Sequence, residues 1–219
     1  MNYKIKITTL SDTIIATAEG QGSIIDTDIC FDEFGIPYIP ARRIKGCLRD
    51  SALEVYQLLN MLNRPTSTSF IDDIFGSRGY SPAKVKISNA NIFDYKINKE
   101  WISYLLETSN TPFSEENVKK YFSQIRNMTE IDNERWIAKD KSLRNVRTLR
   151  EGLDFEANLD FIEDPNQGII DFLALSVKNL RYIGSNRTRG FGKIKCQLFY
   201  NNQPINPEID PLKSTEEAK

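Results

Sequence analysis

Lys4-Ile5-Lys6-Ile7 alternates polar and apolar residues, the period of a half-buried strand, and Thr13–Ala18, Lys84–Ile92 and Ile194–Tyr200 read the same way. In Leu153–Ile162 the alternation is sharpest, with Leu153, Phe155, Ala157, Leu159 and Phe161 on one face. Helical spacing takes over in two longer stretches. Ile44, Leu48, Ala52, Val55, Leu59 and Leu62 share one helix face, with Pro65 beyond its end. Ile169, Leu173, Val177 and Leu180 mark a buried helix over Ile169–Tyr182. Ser114-Glu115-Glu116 is a cap followed by an acidic first turn, and starts a shorter helix with Val118, Phe122 and Ile125 on one side. Turn signals separate these runs: Leu10-Ser11-Asp12, Gly20–Ser23, Asp32–Gly35, and a loop over Phe70–Gly79 anchored by Ile74-Phe75. Pro37 and Pro40 keep Ile36–Pro40 extended. The stretch Arg126–Arg150 has little apolar periodicity and reads as an extended hairpin. The order predicts an α+β chain: a ferredoxin-like (RRM-like) antiparallel sheet with helices on one face. One domain over residues 1–205 would carry the inserted hairpin at 126–150, followed by a polar tail at 206–219.

A length of 219 residues suffices for one full core, and 40% hydrophobic with 27% charged residues is ordinary globular composition. No apolar run approaches the roughly 18 residues that span a bilayer, and the first residues lack a signal-peptide core, so no membrane partner is expected. Cys30, Cys47 and Cys196 are widely spaced and form no CxxC, the usage of reduced cytoplasmic thiols. Histidine is absent, which removes Ser-His-Asp and Cys-His triads and His-ligated zinc.

The net charge of −1 conceals blocks. Ile7–Ala41 holds Asp12, Glu19, Asp26, Asp28, Asp32 and Glu33 without a Lys or Arg, and Glu151–Asp171 is likewise purely acidic. Arg135–Arg150 sets Arg135, Lys139, Lys141, Arg144, Arg147 and Arg150 against Asp140 alone, and Phe172–Pro207 has bases but no acid. Such blocks can build one positive face on an acidic body, or can be solvated faces.

Three constellations carry candidate chemistry. In Gly184-Ser-Asn-Arg187-Thr-Arg189-Gly190-Phe191-Gly192, three glycines let amides approach an anion while two arginines fork onto phosphate oxygens. The alternative is a tight helix-to-strand turn. Arg42, Arg43 and Lys45, with Arg49 a turn later, place cations in the first turns of a helix, where they oppose its dipole unless an anion compensates. Asp26 and Asp28 fall on one side of an extended segment, and hard oxygen ligands suit Mg²⁺ or Mn²⁺. They can equally satisfy turn amides or offset nearby arginines.

Pro37-Tyr38-Ile39-Pro40 followed by Ile44-Lys45-Gly46-x-Leu48-Arg49 resembles the opening helix motif of the RAMP superfamily, RNA-binding subunits of CRISPR effectors. Ile74-Phe75-Gly76-Ser77 is similar to its aromatic-glycine motif, and Ile183–Gly192 to its C-terminal glycine-rich loop. By size and basic mid-chain insertion the chain is identified as a divergent member, most similar to the backbone subunit of type III (Csm- or Cmr-like) complexes. Two departures are Asp28 where the family often has Pro, and Ala41-Arg42-Arg43 where it usually has Gly-Ser-Ser.

The resemblance implies a crRNA guide, a target RNA, other complex subunits and stacked copies of the chain as partners. It implies a thumb-like hairpin, here Thr129–Arg150, that wedges into the guide–target duplex. It also implies metal-dependent target cleavage by a loop aspartate, matched by Asp26, with Asp28 beside it. The RNA-facing residues on this reading are Arg42, Arg43, Lys45, Arg49, Lys141, Arg144, Arg147, Gly184, Arg187, Arg189, Gly190 and Gly192. The alternatives are a non-catalytic scaffold subunit and a guide-processing endoribonuclease of the same superfamily.

Overall fold

In a computed structural model, residues 2–17, 25–62, 69–77, 82–108, 113–132, 135 and 137–207 are described. The expected loop at Gly20–Ser23, the end of the expected second strand at Ala18, Pro65 and most of the polar tail lie outside them. The chain runs β1 (Tyr3–Thr9), β2 (Tyr38–Ile39), α1 (Ala41–Met61), α2 (Ser69–Phe75), β3 (Val85–Ile87), β4 (Ala90–Ile92), α3 (Tyr95–Thr108) and α4 (Glu115–Phe122). It continues with β5 (Ser123–Met128), β6 (Ile131–Asp132), β7 (Ile137–Ala138), β8 (Arg144–Leu149), β9 (Asp154–Phe161), α5 (Gln167–Asn179), β10 (Ile194–Tyr200) and β11 (Gln203–Pro204).

The main sheet is antiparallel, in the order β11-β10-β1-β9-β4-β2, with β3 also paired to β9. Its four inner strands, connected through α1 and α5, are the ferredoxin-like arrangement. One face buries Ile5, Ile7, Phe155, Ala157, Leu159, Ile194, Cys196 and Leu198 in the core shared with α1 and α5. Complete burial of a side chain such as Phe155 contributes about 1.5–3 kcal/mol. The opposite face is a charged ladder: Lys4 pairs with Glu156 at 3.5 Å and Lys6 with Asp154 at 3.0 Å. Burial works against the Asp154 charge, but the Thr8 hydroxyl and Lys6 ammonium outweigh it and hold the carboxyl below its usual range.

The alternating strands form close to where the pattern places them, with corrections. Lys84–Ile92 is two short strands, because β3 and β4 both pair with β9 around a bulge: five steps from Ile87 to Ile92 face four from Leu159 to Phe155. Of the strand expected over Thr13–Ala18, the described residues 13–17 form isolated bridges only: Thr13 bridges Leu149 and Ala16 bridges Ile29. Part of the expected Phe70–Gly79 loop is α2, whose Ile74 and Phe75 are indeed buried anchors. Helix α4 has the Ser114 capping box but ends at Phe122, so Ile125 lies in β5 and is exposed. Helix α5 stops at Asn179, short of Tyr182.

Between β4 and β9, adjacent in the sheet, the chain inserts α3, α4 and a protruding hairpin. Strands β5 and β8 pair antiparallel from Ser123↔Leu149 to Met128↔Arg144, and β6 and β7 form a smaller ribbon beyond them. The hairpin root is tied to the body by Asp12, whose Oδ2 accepts hydrogen bonds from Arg126 Nε at 3.0 Å and Nη2 at 2.7 Å and from Gln124. No helix among the described residues is long and apolar enough to cross a membrane.

Candidate nucleic-acid interface

The segment Ile25–Ile29 lies along β8 as a short parallel partner, with Thr27 bridged to Val146. Asp26 N–H donates to Asn145 O at 2.9 Å, and Asn145 N–H donates to Asp26 Oδ2 at 2.7 Å. Arg147 N–H then donates to Thr27 O at 2.9 Å. Asp26 is exposed, and its Oδ1 has no hydrogen-bond partner among the described residues.

Asp28 takes the opposite environment, and the expectation that both aspartates share one accessible side is corrected. It is 3% exposed, accepts Ile29 N–H at 2.8 Å, and has Arg147 Nε 3.2 Å from its Oδ1. That nitrogen makes no hydrogen bond, so the contact is ionic rather than directional. Arg147 is also 3% exposed; its Nη1 reaches Glu116 Oε1 at 3.5 Å and its guanidinium lies over Phe31. Its placement as an RNA-facing cation is corrected likewise. Strand alternation carried a signal for this, since Arg147 shares parity with Leu149, which is buried against the core.

Between the hairpin and the glycine-rich loop opens a groove of about 360 Å³, lined among others by Thr27, Met128, Arg144, Asn186 and Arg189. Arg144 and Arg189 supply cations there, beside Asp26's neighbour Thr27. On the other side of Arg189 a second groove, of about 530 Å³, is lined by Arg126, Arg150, Gly190 and Phe191 with Asp12 and Glu151. Arg189 therefore borders both. Lys141 stands exposed near the hairpin tip with a left-handed backbone (φ 58°).

The three loop glycines divide by role. A Cβ on Gly184 would come within 2.1 Å of Ile14 O, and one on Gly192 within 2.1 Å of Ile183 O, so both allow the chain to approach itself. Gly190 (φ +85°) faces open space. Arg187 is turned onto its own chain: Nε donates to Gly184 O at 3.0 Å and Nη2 to Cys47 Sγ at 3.6 Å. The cations of α1 also separate. Arg42 is exposed, Arg43 Nη2 donates to Ala16 O at 3.3 Å, and Arg49 donates to Gly76 O at 3.1 Å and pairs with Asp72 at 3.7 Å. Desolvation, then the neighbouring Arg49 charge, lowers the Lys45 pKa. The first turn of α1 contains no acid.

Among the described residues no three His, Cys, Asp or Glu side chains cluster in a metal-holding arrangement. Asp26 alone fits a divalent cation shared with substrate oxygens, the usual way Mg²⁺ is held. Asp28, buried and already engaged, does not.

A model of the RAMP superfamily matches residues 6–195, and the chain belongs to that superfamily. Two solved structures share the fold. One is a chain of a type III-B Cmr-beta complex bound to cognate target RNA, 12% identical with a TM-score of 0.66, covering 90% of this chain and 97% of that one. The other is from the apo state of type III-B Cmr-beta, 13% identical with a TM-score of 0.67, covering 92% and 98%. No curated protein matches the chain.

Proposed function

We propose that the chain is a crRNA-binding backbone subunit of a cytoplasmic type III CRISPR ribonucleoprotein that cuts guide-paired target RNA at Asp26. The observation that carries this reading is the exposed Asp26 carboxylate at the root of the hairpin, beside a groove with arginines on both walls. Superfamily membership and the type III-B fold likeness support the setting. Guide, target, neighbouring subunits and stacked copies of the chain are its partners on this reading.

The chemistry follows from what the chain lacks as well as what it holds. With no histidine, and with aspartate an unreactive base near neutrality (ordinary pKa about 3.9), proton transfer through imidazole is closed. Attack by the ribose 2′-oxygen on the adjacent phosphorus expels the 5′-oxygen of the next nucleotide. The products are a 2′,3′-cyclic phosphate and a 5′-hydroxyl: the 2′-hydroxyl proton is passed to solvent, and the departing 5′-oxygen takes up a proton from solvent. Mg²⁺ or Mn²⁺ on Asp26 Oδ1 would supply charge neutralisation at the phosphate. Asn145 N–H holds Oδ2, which sets the carboxylate plane, while Arg144 and Arg189 neutralise phosphates along the groove.

The test is a reconstituted complex given matched target and Mg²⁺ or Mn²⁺. Cleavage at a regular interval is expected in the parent, reduced at least about a hundredfold in Asp26→Ala and Asp26→Asn with guide binding intact. The Asn variant keeps an acceptor for Asn145 and isolates the charge. Undiminished cutting by both variants rejects the assignment. Loss of Asp28 to the interior favours a second reading, a scaffold subunit, which a parent complex that leaves target whole would establish.

A further inference from the structure

We infer that the buried Asp28–Arg147 pair is a positioning clamp that fastens Asp26 to the hairpin, so that the carboxylate moves with the hairpin rather than with the sheet; this rests on the proposed role of Asp26. The direct bonds around Asp26 run to β8. Its N–H and its Oδ2 both engage the Asn145 backbone, and Thr27 O accepts from Arg147 N–H. These bonds alone are a short, solvent-edged pairing. On its other side the segment is tied by the Ala16–Ile29 bridge and by Thr17 N–H donating to Asp28 O at 2.9 Å; what fixes its register against β8 is the side-chain contact two residues on, where Asp28 and Arg147 meet at 3.2 Å with both side chains almost fully buried.

Buried opposite charges must stay together, because separating them leaves an uncompensated ion in the interior. A slip of the segment by one residue would carry Asp28 out to solvent and strand Arg147. The pair therefore permits one register, the one that puts Asp26 outward. Arg147 is held in turn by Glu116 in α4 and by the face of Phe31. A duplex that shifts the hairpin would thus move Asp26 by the same amount.

The experiment uses the reconstituted guide complex with Asp28→Asn, Arg147→Met, the double variant and Arg147→Lys. Three quantities are read: single-turnover cleavage, target affinity, and hydrogen exchange at the Asn145 amide. Both single variants should cut at least tenfold more slowly with target affinity within twofold of the parent, and their Asn145 amide should exchange at least tenfold faster. The double variant should be no slower than the worse single, and Arg147→Lys should recover part of the rate. Parental exchange at Asn145 in folded Asp28→Asn overturns the clamp. So does a lowered melting temperature with an unchanged cleavage rate per complex. If the parent itself leaves target whole, the role of Asp26 fails, while the exchange at Asn145 still decides the clamp.

Discussion

Gly184 and Gly190 differ sharply in what a side chain would meet, though as residue types the two glycines are equal. Alanine at 184 meets Ile14 O at 2.1 Å on a left-handed backbone, so overlap and backbone strain add to about 2–5 kcal/mol. Alanine at 190 meets nothing and pays the left-handed backbone alone, about 1–2 kcal/mol. Urea denaturation of the two variants should show that difference. The arginines divide the same way. Arg189 borders both grooves, so Arg189→Ala should weaken guide RNA binding across all guide sequences and flatten the salt slope by about one, whereas Arg187→Ala should do less. Fluorescence titrations at several salt concentrations check both. Residue type alone marked Asp26, Arg144 and Arg189 as candidates. It could not show that Asp28 and Arg147 cancel each other inside the protein, because that depends on a pairing across more than a hundred residues.

Elements were legible in proportion to the regularity of their burial. Helices α1 and α5 and strands β1, β9 and β10 each present a continuous apolar face to one core, so their periods survive in the sequence. Helix α3 differs: Ile97, Trp101, Tyr104 and Leu105 recur at helical spacing, but they are exposed and none of its residues is fully buried, so its apolar face meets no core. The bulge at Ser88-Asn89 does leave a trace, since an extra residue shifts the alternation by one: the inward positions pass from Val85 and Ile87 to Ala90 and Ile92, which a single strand over Lys84–Ile92 cannot satisfy. The charged face of the sheet makes its own prediction. Asp154 has a depressed pKa in the folded protein, so its contribution is present above the unfolded value of about 3.9 and fades as pH falls through the folded one. Melting temperatures between pH 5 and pH 3 should therefore fall more steeply in the parent than in Asp154→Asn.

For the molecule as a whole, the net charge of −1 describes neither of its faces. The acids of β9 neutralise lysines on the open sheet, while Arg144, Arg189, Arg126 and Arg150 collect around the hairpin root and the glycine-rich loop. The insertion that carries the hairpin, α3 and α4 included, leaves the frame and returns to it between two neighbouring strands, where Phe93 N–H donates to Asp154 O at 2.8 Å. Its ends are therefore stapled together by the sheet itself. Lengthening a loop whose ends already meet adds only about 0.6 kcal/mol for each doubling. The reach of the hairpin is in this sense a free variable: it can be retuned without renegotiating the fold that carries it.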